Sequence, residues 1–235
     1  LTPENKRLII TIDGPSGAGK STVSKLLAER LEYEYIDTGA LYRAVAVESQ
    51  EQGVDIDNDD DLVKLCSGIA IFFKKKRGAL GVFVNGREVT KKIRDPEVSL
   101  LASRLSAKRV VRDALFHIQR RLGSNGGAVF EGRDMGTIVF PEADIKFFLD
   151  ANHKKRAIRR HRELKLKGHN ITIEQVQNEI DNRDLNDSSR ELSPLKPSDD
   201  AIIVDSTELE IEHVVGSMLE SIKRKFDIVF TRNNL

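Results

Sequence analysis

The chain has 235 residues, with 38 Lys plus Arg against 37 Asp plus Glu and a formal net charge of +1. That length suits one α/β domain with insertions or two small domains and excludes peptide-hormone and disulfide-staple classes, while the balanced charge gives no global argument for nucleic acid or a membrane as partner. A single cysteine, Cys66, leaves no internal disulfide or zinc cluster and points to a reducing, cytoplasmic setting; no apolar run nears the roughly 20 residues of a membrane span, and Leu1 to Arg7 is too polar for a signal peptide.

Leu8 to Asp13 is a β-branched apolar run stopped by Gly14, the pattern of a strand buried on both faces. Val23, Leu26, Leu27 and Leu31 then space one face of a helix, and Tyr33 to Asp37 is a second, less apolar strand. Asp55 to Asp61 is an acidic surface stretch. In residues 69 to 94, Ile69 to Phe73, Gly81 to Val84 and Glu88 to Thr90 read as short strands around an Asn85-Gly86 hairpin turn, which makes a small β insertion. Asp95-Pro96 offers a helix N-cap and first helical residue, and Val111, Leu115, Ile118 and Leu122 mark another helix. Strands follow at Ala128 to Glu131, Ile145 to Leu149 and Ala201 to Asp205, and Ile211, Val214, Met218 and Ile222 space a last helix. Thr172 to Gln175 and Thr207 to Glu210 are capping-box patterns. Asp227 to Leu235 has little pattern and is expected to fray or lie on the surface. Alternating strands and helices predict an α/β fold with a parallel sheet covered on both sides.

Gly14-Pro15-Ser16-Gly17-Ala18-Gly19-Lys20-Ser21-Thr22 satisfies G-x-x-x-x-G-K-[ST] between the first strand and the first helix. Glycines there let backbone N–H groups face an anion, Lys20 adds a cation for the β and γ phosphates, and Ser21 is the hydroxyl expected on Mg²⁺. The motif predicts a nucleoside triphosphate and leaves the acceptor open. Neither D-x-x-G nor N-K-x-D occurs, so a GTPase is disfavoured, and the length argues for a small-substrate phosphotransferase. Two further glycine-flanked charged turns follow strands, Asp37-Thr38-Gly39 leading to Arg43, and Glu131-Gly132-Arg133-Asp134. Both fall where open α/β sheets bind ligands. Asp37 and Glu131 sit at strand ends where either could hold Mg²⁺ through water, and Asp13 is expected to be a structural hydrogen-bond acceptor.

Taken together, IDGPSGAGKST at 12 to 22, DTGALYR at 37 to 43, EGRDMGTIVFPEAD at 131 to 144, the arginine-rich 156 to 162, NRDLNDSSRELSPL at 182 to 195 and DAIIVDST at 200 to 207 closely resemble the bacterial cytidylate kinase family over about residues 8 to 226. The resemblance implies a P-loop kinase with a five-stranded parallel sheet flanked by helices, the β insertion in its acceptor-binding region, and a short lid. It implies transfer of the γ-phosphoryl group of ATP to CMP and dCMP, with Mg²⁺. By the same resemblance Ser103, Arg112 and Asp134 form the base pocket, with Thr38 lining it; Arg43, Arg133 and Arg190 clamp the acceptor phosphate, and Asp187 holds the ribose hydroxyls. Cytosine's amino donor beside two acceptors suits a carboxylate flanked by guanidinium and hydroxyl donors.

His153 to His169 carries eight Lys or Arg and one acid, Glu163. Arg156 and Arg160, one helical turn apart, are expected to close over the phosphates as a lid, and the resemblance implies that Arg183 reaches the transferred group from the other side. Lys20, Arg156, Arg160 and Arg183 are thus the candidate catalytic residues, and Ser21 and Asp37 the candidate metal ligands. Phosphoryl transfer needs positioning and positive charge more than a base, so no histidine is required, His117 and His161 included. The expected organisation is a core of 1–37, 123–152 and 191–226, an acceptor-binding region of 38–122, a lid of 153–190 and a tail of 227–235, acting as a cytoplasmic monomer. Two alternatives stay open: another small-acceptor kinase of UMP or AMP type, and an NTP-dependent nucleic-acid-binding protein. The second is disfavoured because no aromatic residues interleave the basic ones.

Overall fold

The computed structural model describes residues 7–76 and 79–226, the side chains of 75, 76 and 79 excepted. The residues before Arg7 and the tail 227–235, expected to fray or lie on the surface, fall outside the described residues. The chain divides into two compact units. Within the described residues, the first comprises 7–36, 123–189 and 193–226, and the second 37–122 and 190–192.

The first unit is built on a five-stranded sheet of β1 (Ile9–Asp13), β2 (Glu34–Asp37), β6 (Ala128–Glu131), β7 (Ile145–Asp150) and β8 (Ile202–Asp205), in the order β2-β6-β1-β7-β8. The strands run parallel, and the central one pairs Ile12 with Glu131 on one side and with Phe147 on the other. Central strands are buried on both faces, which is why Leu8 to Asp13 and Ile145 to Leu149 read as continuous apolar runs. Two helices, α1 (Lys20–Leu31) and α8 (Ile211–Phe226), pack against each other, and Val23, Leu27, Val214, Met218 and Ile222 join Ile10, Ile12 and Phe147 in one apolar cluster. A separate small cluster of Ala157, Leu164, Val176 and Ile180 holds α6 (His153–Leu166) to α7 (Ile173–Ser189). The capping box at Thr172 is formed: Gln175 N donates to Thr172 Oγ1 and Thr172 N to Gln175 Oε1. The one expected at Thr207 is not. Helix α8 starts later, with Glu210 O accepting from His213 N and Val214 N, because the Thr207 hydroxyl oxygen instead accepts from Asn152 N while its proton goes to Asp205 in the turn after β8.

The second unit contains α2 (Thr38–Gln52), α3 (Asp59–Ser67), α4 (Pro96–Leu105) and α5 (Arg109–Leu122) around its own apolar core, including Leu41, Val45, Leu62, Leu105, Val111 and Leu115. The β insertion is a three-stranded antiparallel sheet of β3 (Ile71–Lys76), β4 (Ala79–Val84) and β5 (Arg87–Glu88). Asn85 and Gly86 both have positive φ, 50° and 80°, as the hairpin turn requires. Asp95 caps α4 by accepting from Glu97 N, with Pro96 as the first helical residue. Asp55 to Asp61 is exposed as expected at Asp57, which pairs with Arg104 and Lys108, but Asn58 in its midst caps α3. No helix of the described residues is long and apolar enough to cross a membrane.

Asp13 ends β1 at 5% exposure, and its two oxygens accept from Met135 N at 2.9 Å and Gly136 N at 2.7 Å. It is therefore the structural acceptor expected from its position. Burial raises its carboxyl to about 6 despite these bonds. A raised carboxyl in the folded state means that stability is greatest below the unfolded value of 3.8 and is lost as pH climbs to about 6. In urea titrations, the stability of wild type relative to Asp13→Asn should fall by about 2 kcal/mol between pH 4 and 7 and stay level above that.

Candidate active site

The phosphate loop joins β1 to α1 through backbone that side chains would obstruct. A Cβ on Gly14 would lie 2.0 Å from Leu149 O, and Gly19, at φ 93°, occupies the left-handed region as the N-cap of α1. Three carbonyls of the loop are held from outside: Pro15 O accepts from Lys20 Nζ at 2.6 Å, Ser16 O from Arg156 Nη1 at 3.0 Å, and Ala18 O from Ser206 Oγ at 2.9 Å. In a trans peptide the N–H points opposite to its carbonyl. Fixing these oxygens therefore also fixes the directions of the N–H groups of Ser16, Gly17 and Gly19, the donors that such a loop offers to an anion.

Lys20 is 4% exposed, and burial, reinforced by the neighbouring charges of Arg133 and Arg183, brings its ammonium down to about 7. Glu131 and Asp187 act in the opposite sense. Arg133 donates through Nε to Asp187 Oδ2 at 2.8 Å; burial works against its charge, and Asp187, Glu131 and Asp184 together outweigh that and hold it above its ordinary value. Arg183, Asp184 and Asp187 share a face of α7 by their three- and four-residue spacing. The predicted catalytic residues Lys20 and Arg183 are thus in electrostatic reach of each other, together with the predicted substrate residues Arg133 and Asp187. Asp134 is buried at the start of a single π-type turn, Met135–Val139.

The two arginines expected in a lid have different surroundings. Arg156 is buried, pairing with Asp184 at 2.6 Å and donating to Ala151 O as well as to the loop. Arg160 pairs with Glu163 on its own helix at 2.8 Å. Sequence reasoning missed Arg159, which donates to Ser206 Oγ at 3.0 Å and Ser206 O at 2.6 Å, and Ser206 itself, which is 3% exposed and tied to Asp150 as well as to the loop. Their signal was faint: one arginine among eight basic residues, and a serine in the D-S-T that ends the last strand. His161, assigned no role, bonds Ile171 O.

Ser21 Oγ donates to Glu131 Oε1 at 2.7 Å. A hydroxyl and a carboxylate beside a phosphate loop are hard oxygen donors of the kind that Mg²⁺ selects. Among the described residues no three His, Cys, Asp or Glu side chains converge as a ready-made metal cage.

In the second unit, Asp37 accepts from Ala40 N through Oδ1 and from Arg43 Nη2 through Oδ2, at 3.1 and 2.6 Å. Both oxygens of this predicted metal ligand are therefore engaged. Thr38 is buried at the start of α2. Ser103, Arg112 and Arg190 converge on Ser106, a residue the sequence did not single out: Arg112 Nη1 donates to Ser106 O, Arg190 Nη1 to Ser106 Oγ, and Ser106 Oγ to Ser103 O. Ser103 Oγ is buried without a hydrogen-bond partner. An orphaned buried hydroxyl costs about 1–3 kcal/mol, so it marks a place where a polar ligand would restore a bond.

A sequence model described as cytidylate kinase matches residues 10–224. This chain belongs to the cytidylate kinase family. The cytidylate kinase of Geobacter sulfurreducens is 49% identical over 218 residues, covering 93% of each chain. That of Bacillus cereus is 44% identical over 222 residues, 94% of this chain and 99% of its own. A solved shikimate kinase from Bacteroides thetaiotaomicron is similar at TM-score 0.49 and 12% identity, covering 93% of this chain and 99% of that one, too distant a likeness to say anything of the acceptor.

The buried and exposed polar contacts of α6 should separate cleanly in unfolding experiments. Ser206→Ala removes the donor to Ala18 O and the acceptor of Arg159 and should cost about 1–3 kcal/mol. Arg160→Ala removes a surface pair and should change stability by less than about 1 kcal/mol.

Proposed function

We propose that this chain transfers the γ-phosphoryl group of ATP to CMP and to dCMP, giving ADP with CDP or dCDP. Membership of the cytidylate kinase family supports the acceptor. The observation that carries the phosphotransfer reading is the buried Lys20, bonded to Pro15 O of the phosphate loop and within electrostatic reach of Arg133 and Arg183. Positive charge gathered at that density is unfavourable by itself and becomes favourable when several phosphate oxygens enter.

The roles follow from donor and acceptor chemistry. The loop N–H groups and Lys20 bind the β and γ phosphates and orient the transferred group. Arg156, Arg160 and Arg183 supply charge to the equatorial oxygens, which gain negative charge as the group moves. For the acceptor, Arg43, Arg133 and Arg190 bind phosphate, since each guanidinium can donate two parallel bonds. Asp187 accepts from the ribose hydroxyls. Asp134 accepts from the cytosine amino group, while Ser103 and Arg112 donate to the base's acceptor atoms and Thr38 lines the pocket. Mg²⁺ bound with the triphosphate supplies further positive charge on its oxygens. Ser21 would hold it, with Glu131 behind; Asp37 would do so only by releasing Ala40 N or Arg43. We further read the protein as a cytoplasmic monomer, in keeping with one free cysteine whose thiol burial pushes up.

Coupled assays of ADP formation with ATP, Mg²⁺ and each of CMP, dCMP, UMP, AMP and GMP should give turnover mainly with CMP and dCMP. ADP formation independent of any acceptor would overturn the kinase reading and favour nucleic-acid-stimulated hydrolysis. Uracil presents a carbonyl where cytosine presents an amino group, so a buried carboxylate facing it loses on the order of 2–5 kcal/mol. Asp134→Ala should accordingly lower kcat/KM for CMP by about 100-fold or more while leaving ATP affinity within about 3-fold. Equal losses in both would assign Asp134 to the fold.

A further inference from the structure

Tyr35 has no part in the roles assigned above, yet it completes a chain of polar groups that ends at the phosphate loop. It lies on β2, and because β2 is the neighbour of β6 in the sheet, its phenol donates to Glu131 Oε2 at 2.6 Å. The other oxygen of the same carboxylate, Oε1, accepts from Ser21 Oγ at 2.7 Å. Each Glu131 oxygen thus receives a donor from a different element, β2 on one side and α1 on the other. The Tyr35 ring is half-buried against the apolar cluster under α1, with Lys25 Nζ 5.4 Å from its centroid. Lys25 follows Ser21 by one helical turn.

Glu131 is fixed at its backbone by its place in β6, paired with Ile12, but a glutamate side chain has several rotors between backbone and carboxylate. The hydrogen bond to Ser21 alone leaves the carboxylate able to turn about that contact. A second, charge-assisted bond from a seated aromatic ring removes the freedom. We propose that Tyr35 is a positioning residue, which fixes Glu131 so that the Ser21 hydroxyl gives its proton to the carboxylate and presents its lone pairs to the cation that accompanies ATP. The inference rests on the reading of Ser21 and Glu131 as the Mg²⁺-facing pair. A hydroxyl can be an effective cation ligand only when its single proton is directed elsewhere, and the carboxylate held by Tyr35 is what takes it.

Calorimetric titration of ATP into wild type, Tyr35→Phe, Glu131→Gln and the double variant, each with and without Mg²⁺, tests this without depending on turnover. Phenylalanine keeps the ring and its packing. In Tyr35→Phe the tightening of ATP binding by Mg²⁺ should shrink by about 10-fold, the scale typical of losing an outer partner of a metal ligand, while metal-free ATP affinity stays at the wild-type value. In the Glu131→Gln background the same substitution should add nothing further, since its target is gone. In the kinase assay the Mg²⁺ concentration for half-maximal rate should rise about 10-fold with KM for CMP unchanged. A wild-type Mg²⁺ effect in Tyr35→Phe would overturn the positioning role and leave the proposed function standing. Equal loss of metal-free and Mg²⁺-bound ATP affinity would also overturn it, by making Tyr35 a support of the loop. Absence of any Mg²⁺ effect in wild type would overturn the metal reading and this inference with it.

Discussion

An ammonium group almost removed from water, with two guanidiniums in range, is the constraint around which the first unit is arranged. Lys20 cannot lower that cost by moving outward, because it starts α1 and donates to Pro15 O. Carboxylates nearby, Glu131 and Asp187, offset the repulsion without neutralising it. Each of them is also tied to another donor, Glu131 to Ser21 and Tyr35, and Asp187 to Arg133. The result is a cluster of charged donors held in fixed positions at one end of the sheet. Its preorganisation matters because donors already in place need no reorganisation when charge develops on a transferring group.

Parallel topology explains why so many functional groups meet there. Every strand of the five-stranded sheet ends on an acidic residue: Asp13, Asp37, Glu131, Asp150 and Asp205. Four of them accept from backbone N–H groups that follow in the chain or lie in a neighbouring turn: Asp13 from Met135 and Gly136, Asp37 from Ala40, Asp150 from Ala151 and Asp205 from Thr207. These carboxylates shape the turns after the strands. Glu131 is the exception, since both its oxygens take side-chain hydroxyls, and it is the one that faces the phosphate-loop serine. A common sequence position thus serves two purposes, told apart by what donates to it.

Much of this was legible in the sequence where a local rule dominates. Leu8 to Asp13, Ala128 to Glu131 and Ile145 to Leu149 announced buried strands because mostly apolar side chains fit inside a sheet covered on both faces, with Thr11 and Lys146 the polar exceptions before the strand ends. Asn85-Gly86 announced its hairpin through its need for positive φ, and the phosphate loop through its glycines, lysine and hydroxyl. What stayed hidden depends on contacts between residues far apart in the chain. Ser206 touches Ala18 across 188 positions, and Tyr35 touches Glu131 across 96. Neither has a spacing that a local pattern could carry. Thr207 shows the opposite failure, where a correct-looking capping pattern lost to a donor distant in sequence, Asn152 N. Strand β3 runs on past Phe73 through Lys74 to Lys76 because pairing with β4 outweighs the polar side chains that suggested its end.

The attachment of α6 has a mechanical consequence. A Cβ on Gly17 would come within 2.9 Å of Arg156 O, so the glycine lets the backbone of this helix press directly against the phosphate loop. Arg156 then bonds Ser16 and Arg159 bonds Ser206, both in the first two turns. Displacing that part of α6 would therefore displace the phosphate loop with it.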